Sequence, residues 1–359
     1  MRSDAVMIGM VLKSEPTAIR SVTRDWDADG REQEAVHMQM FCQKNPAVLA
    51  LAKFDAALAE ARARLDLYSR QRLVVHIGTP KTGTTALQSC LGRNSDQLRH
   101  ASWIYPAYSD SHGHTRQQCI VDDLLAGRLD TTSELLVRAI NSGIPNVFLS
   151  SEGFYMNRPR FQIPLQSFLE ICAKHFDIEV VCVFADPGRF ARSLYKQLVT
   201  AGPWKHYPLS GYAEDFAHFI EEPLTRYYLD YEEAAREVHA PGAGFRALAY
   251  DTDIIEVFSA AYFGVQLSRE GVSTNKGYPA PIYELLRLHN ILIFDARRKQ
   301  ALLRVIQGRG LPESERAEVR SFLELVQTHE FELQFVEDRS TFEGFLNAMR
   351  RRAELAPQN

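Results

Sequence analysis

No stretch of this sequence stays apolar long enough to span a membrane. The early run AVMIGMVL, residues 5–12, is interrupted by Gly9 and followed by Lys13 and Glu15. A secretory signal is therefore not expected, and a cytoplasmic location is. Excess positive charge is also missing. The 41 Lys and Arg against 45 Asp and Glu leave a net charge of −4, which excludes non-specific attraction to nucleic acid or to an anionic membrane. Any anion site must be a local concentration of donors. Cysteine is sparse and odd in number: Cys42, Cys90, Cys119, Cys172 and Cys182 are scattered and form no C-x-x-C pair. That pattern predicts buried free thiols, not a disulfide framework or a zinc site. There is no internal repeat and no low-complexity segment. What remains is an ordinary globular composition, 45% apolar and 24% charged over 359 residues, enough for one large α/β domain with extensions or for two domains.

Residues 1–44 read as a polar lead-in with little periodicity. Asn45-Pro46 then supplies an N-cap and a first-turn proline, and Leu51, Phe54, Leu58, Ala61 and Leu65 recur at helical spacing. From Arg72 the chain alternates as a parallel sheet with crossover helices does. RLVVHIG, SWIYP, NVFLSS, IEVVCVFA and FRALAYD read as strands, with helices predicted at TTALQSCLGRN, ELLVRAINSG, PLQSFLEICAKHF and FARSLYKQLVT. On the first of those helices Leu87, Cys90 and Leu91 should face inward. The tail from Ala280 is helical and charged. The expected architecture is an N-terminal helical extension (1–71), an α/β core (72–270) and a C-terminal loop with a helical extension (271–359).

Val74 to Gln88, VVHIGTPKTGTTALQ, carries the sharpest signal. A strand running through a glycine turn into a helix gathers unpaired N–H groups and the positive end of the helix dipole, which suits an anion. Gly78 and Gly83 have the separation of a nucleotide-triphosphatase loop, yet Lys81 lies between them and Thr84 and Thr85 follow. Lysine is thus absent from the position that meets the β- and γ-phosphates in ATP sites.

PKTGTT resembles the 5′-phosphosulfate loop of the sulfotransferases that use 3′-phosphoadenosine 5′-phosphosulfate (PAPS). The resemblance implies a P-loop-type central parallel sheet flanked by helices and sulfuryl transfer from PAPS to a hydroxyl or amine. It implies that Lys81 neutralises charge on the leaving phosphate. Thr82, Gly83, Thr84 and Thr85 would cradle the 5′-phosphate, and no metal would be needed. VVCVFADPGRFARSLYKQ is similar to the family's 3′-phosphate segment, with Ser193 at its serine. Eight residues earlier, where that family carries an arginine, stands Ala185. Arg189, one helical turn before Ser193, offers compensation, whereas Arg192 points about a quarter-turn away. STNKGYPAPIYELLRLHN resembles a late segment of bacterial sulfotransferases, which makes Lys276 and Gly277 further 3′-phosphate candidates.

A general base is expected near the C-terminal end of a central strand. Glu152, directly after NVFLSS, stands where the family places a catalytic His or Glu. The other reading is a helix-start carboxylate with Ser150 or Ser151 as N-cap. His112 and His114, in YPAYSDSHGHTRQ, are rival bases, and His114 is a candidate for the acceptor side. Trp204, His206 and Tyr207 form an aromatic loop suited to a sugar-like or aromatic acceptor. The bacterial resemblance implies a small-molecule or glycan acceptor, such as a carbohydrate or glycolipid. Two other readings stay open: a P-loop kinase or nucleotide hydrolase with an aberrant loop, for which Asp186 is the acidic residue after a strand, and a non-catalytic nucleotide-binding relative, which Ala185 keeps in play.

Overall fold

Five parallel strands carry the fold, and their residues sort by parity onto two apolar faces. The computed structural model describes residues 46–65, 70–106, 108–109, 115–201, 209, 211–250, 253–270, 277–293 and 295–355. In chain order these begin with α1 (Pro46–Leu65), β1 (Arg72–His76), α2 (Thr84–Arg93), α3 (Ser95–His100) and β2 (Trp103–Ile104). A small hairpin, β3 (Tyr108–Ser109) and β4 (Thr115–Arg116), precedes α4 (Gln118–Ala126), α5 (Asp130–Asn141) and β5 (Asn146–Ser150). Next come α6 (Gly153–Met156), α7 (Leu165–His175), β6 (Asp177–Phe184) and α8 (Pro187–Thr200). Three short helices, α9 (Phe216–Glu221), α10 (Pro223–Leu229) and α11 (Tyr231–Glu237), lead to β7 (Gly244–Ala249) and α12 (Ile254–Phe258). The tail is α13 (Ala280–Leu292), α14 (Ala296–Ile306), α15 (Glu313–Thr328) and α16 (Arg339–Leu355).

The strand order is β2-β5-β1-β6-β7, all neighbours parallel. Alternation along a strand sends successive side chains to opposite faces. Leu73, Val75, Val147, Leu149, Val180 and Cys182 join the larger core, beneath α1, α4, α5, α7, α8 and the tail helices. Val74, Phe148, Val181 and Val183 meet Leu87, Cys90 and Leu91 of α2 and Ile254, Ile255 and Phe258 of α12 on the other face. Strands buried on both sides explain the unbroken apolar runs in the sequence. Helix α1 forms where its spacing predicts and buries Phe54, Leu58 and Ala61, with Phe54 stacked 5.6 Å from Phe168. Residues from Ala47 onward form one compact unit. Among the described residues no helix is long and apolar enough to cross a membrane.

The topology marks a place for a ligand. The chain leaves β1 toward β2 on one side, while the connections after β5 and β6 run toward the other. The connections that leave neighbouring β1 and β6 thus part in opposite directions beyond the C-terminal ends of these strands, and such a switch point is where open α/β sheets bind ligands.

Candidate functional site

The loop from Ile77 to Thr85 opens into that crevice. It stays zipped to β6 beyond the end of β1: Ile77 N donates to Val181 O (3.0 Å), Val183 N to Gly78 O (2.7 Å) and Thr79 N to Val183 O (2.8 Å). The Thr79 hydroxyl also donates to Val183 O (3.1 Å), and that of Thr82 closes the turn onto Thr79 O (2.6 Å). Gly78, Lys81 and Gly83 all have positive φ, at 100°, 67° and 82°. Glycine takes such values freely, whereas lysine does so at a cost. Lys81 is nonetheless exposed, while Thr79, Pro80 and Thr82 on either side are buried.

Gly83 begins α2 without a side-chain cap, so the first N–H groups of the helix keep their donors available. At Gly83 a β-carbon would lie 2.9 Å from Ile254 Cγ2, so glycine here serves both the turn and the close approach of α12. Thr84 is 1% exposed and its hydroxyl has no partner. A buried, unpaired hydroxyl at the first position of a helix fits an anion or water held at that end.

The other sequence candidates fall into groups. Glu152 stands two residues past the end of β5 and is half-buried. A β-carbon on Gly78 would be 3.3 Å from Glu152 Cα and 3.5 Å from its Cβ, which sets the glutamate backbone against the first glycine of the loop. Its neighbour Ser151 accepts from Gly153 N (3.2 Å), and Ser151 N donates to His76 O (3.0 Å). The N-cap of α6 is Glu152 itself, with no side-chain cap bond, so neither Ser150 nor Ser151 holds the cap position.

Arg189 and Ser193 lie one turn apart on α8, and Asp186 caps that helix by accepting Arg189 N (2.8 Å). The Arg189 guanidinium carbon sits 5.1 Å from the centre of the Tyr250 ring. Tyr250 in turn has its hydroxyl 3.9 Å from where a Gly83 β-carbon would be, and its N–H donates to Phe184 O (2.7 Å). One tyrosine therefore links Arg189 to the loop. Ala185 is 5% exposed and packs in the larger core, its carbonyl accepting from the Tyr231 hydroxyl (3.0 Å). Arg192 is turned toward Phe216, 5.9 Å away.

Gly277 lies against α13, where a β-carbon would meet the Tyr283 hydroxyl at 2.8 Å. That ring also receives Lys196 Nζ at 5.3 Å, which brings the Gly277 segment to the α8 face shared by Arg189, Ser193 and Lys196. Lys276, His112, His114, Trp204, His206, Tyr207 and Cys42 lie outside the described residues. The β3–β4 hairpin that flanks His112 and His114 has its second strand beside α2.

Several residues at this end of the sheet escaped the sequence reading. His76, the last residue of β1, is fully buried and shares a 2.9 Å hydrogen bond with the Ser150 hydroxyl. Burial pushes its imidazole down to about 3, so it is neutral at working pH. Gln117 accepts from Ser150 N (2.6 Å) and donates to Pro106 O (2.6 Å), while Gln88 donates to Ser150 O (2.9 Å). The signal available was a histidine closing an apolar strand. Nothing in the sequence joined it to Gln88 or Gln117.

The LLRLHN stretch serves α8 from the far side. Glu284 is fully buried, accepts twice from Arg287 (2.9 and 2.7 Å) and takes the backbone N–H groups of Gln334 and Phe335 (2.6 and 2.7 Å). Asn290 donates to Val199 O (2.9 Å) and Tyr212 O (3.0 Å). Lys299 Nζ donates to Val199 O, Ala201 O and Asn290 Oδ1, each at 2.7 Å. Burial brings that lysine down to about 7. These groups satisfy the carbonyls at the C-terminal end of α8.

The arrangement can hold an anion on backbone donors and threonine hydroxyls, set one lysine charge over it, and offer a carboxylate beside it. In comparisons with known proteins, no family model and no curated protein matches the chain.

Proposed function

We propose that this protein is a PAPS-dependent sulfotransferase with a P-loop-type core, acting on a hydroxyl or amine of a small-molecule or glycan acceptor. The observation that carries the reading is the loop itself: a lysine held at φ 67°, exposed between buried neighbours, at the mouth of an uncapped helix. A solvated surface turn has no need to place lysine in the left-handed region. The unpaired hydroxyl of Thr84 supports an anion at the same place.

Bound PAPS supplies an activated sulfuryl group. In this reading Thr82, Gly83, Thr84 and Thr85 hold the 5′-phosphate through backbone N–H groups, with the Thr84 and Thr85 hydroxyls adding to them. Arg189 and Ser193, on one face of α8, take the 3′-phosphate with Lys276 and Gly277. Arg189 then supplies the charge that Ala185 lacks. Lys81 neutralises the oxygen that leaves as the bond from sulfur to phosphate breaks. Glu152 takes the proton from the acceptor hydroxyl as its oxygen bonds to sulfur, with His114 as the rival group on the acceptor side.

The test is calorimetric titration of the full chain with adenosine 3′,5′-bisphosphate, beside ATP and AMP with magnesium. Binding that requires the 3′-phosphate and no metal is expected. A preference for ATP with magnesium would transfer the site to a kinase or hydrolase. Absence of any nucleotide binding would remove the proposal.

A further inference from the structure

Among the described residues, strand β7 ends the sheet with its outer side open. Tyr250 N donates inward to Phe184 O, and in a parallel ladder alternate residues point the same way. Leu248, Arg246 and Gly244 therefore face β6, while Phe245, Ala247 and Ala249 turn their N–H and C=O groups outward. Among the described residues no strand pairs with them. Folded proteins shield such an edge with charge, proline, a bulge or brevity. The opposite edge obeys, since β2 has two residues and both are buried. β7 has six, GFRALA, without proline, and its side chains are exposed apart from a half-buried Leu248. Its one charge is engaged inward: Arg246 binds Glu179 at 2.8 Å and lies 5.5 Å from the Tyr262 ring centre. Phe245 is 37% exposed and shares a face with Ala247 and Ala249, a small apolar stripe along an unpaired edge.

We propose that β7 is a homodimerisation edge: two copies pair antiparallel through it about a two-fold axis at Ala247, joining two five-stranded sheets into one. The strand is self-complementary in that register. Ala247 faces its own copy and Phe245 faces Ala249 of the second copy, so every outward N–H and C=O of the three residues finds a partner. Each Phe245 ring then covers an alanine on the same face, and Arg246 faces Leu248. Moving the axis to Arg246 would set two arginines opposite each other and leave the end of the ladder unmatched. An interface of one strand per copy is small, so the dimer forms and parts with concentration. Its inner consequence is positional, because β7 runs directly into Tyr250 beside Gly83.

Sedimentation of the full chain over a micromolar concentration series is the test. The mass is expected to double with concentration. Ala247→Pro should remain monomeric while keeping the circular dichroism and melting behaviour of the parent, because residue 247 donates nothing to β6. Oxidation supplies a second readout that reports register. Ala247→Cys should give a covalent dimer, since directly opposed residues have Cα atoms about 5.5 Å apart. Phe245→Cys, whose opposite residue is Ala249, should not. A parent chain that stays monomeric throughout, a proline variant that dimerises like the parent, or two cysteine variants that crosslink equally would each overturn the proposal.

Discussion

Lys81 and Glu152 bear the chemistry proposed for this site, and each makes a separable prediction. Lys81→Ala should lower turnover far more than it weakens binding of adenosine 3′,5′-bisphosphate, because a charge over the leaving oxygen matters most in the transition state. Equal losses in both would deny it that role. The backbone adds a control that the charge argument lacks. Since Lys81 sits at φ 67°, Lys81→Gly should raise stability by roughly 1 kcal/mol in a denaturant titration while activity is lost. Glu152→Gln keeps the shape and removes the base. Turnover should fall about 10²–10⁴-fold with nucleotide affinity unchanged, and retained turnover would move the base to His112 or His114. Only part of this was legible in the sequence. The lysine between two glycines was plain, as was a glutamate after a strand, because each is a local pattern. The abutment of Glu152 on Gly78 and the bridge from Arg189 through Tyr250 to Gly83 were not. Both join segments far apart in the chain, and no spacing encodes them.

At the scale of elements, α8 is held at both ends, by Asp186 at its start and by Asn290 and Lys299 at its finish. The second clamp titrates. The Lys299 ammonium releases its proton near pH 7 in the folded chain against about 10.5 when unfolded. Between those values the unfolded chain holds the extra proton, so stability rises with pH across the window and the full cost of the buried charge is felt below it. Urea titrations from pH 6 to about 10 should show this slope in the parent and lose it in Lys299→Met. An identical slope in both would assign the dependence to other groups. All five sheet strands were readable in the sequence; in β1, β5 and β6 burial on both faces makes the apolar runs continuous, whereas β7 is exposed along most of its length. The short helices α9 to α11 were not, because tertiary contacts such as Tyr228 OH to Met156 O (2.8 Å) hold them more than their own periodicity does.

For the whole molecule, the tail helices act as a buttress for the sheet. Glu284, fully buried, is balanced by Arg287 and two backbone donors. Arg287→Met should cost about 3–5 kcal/mol in a urea titration, because it leaves a buried carboxylate without its cation. A loss below about 1 kcal/mol would mean that the backbone donors suffice alone. The zipper between the loop and β6 also has a consequence in time. Gly78 and Thr79 are secured by Val183, more than a hundred residues later, and β1 lies between strands made much later than itself. During synthesis the first strand must wait, apolar and unpaired, until β5 has left the ribosome, and its other side must wait until β6 follows. A nascent chain that stops before Val183 therefore lacks the groups that secure the loop.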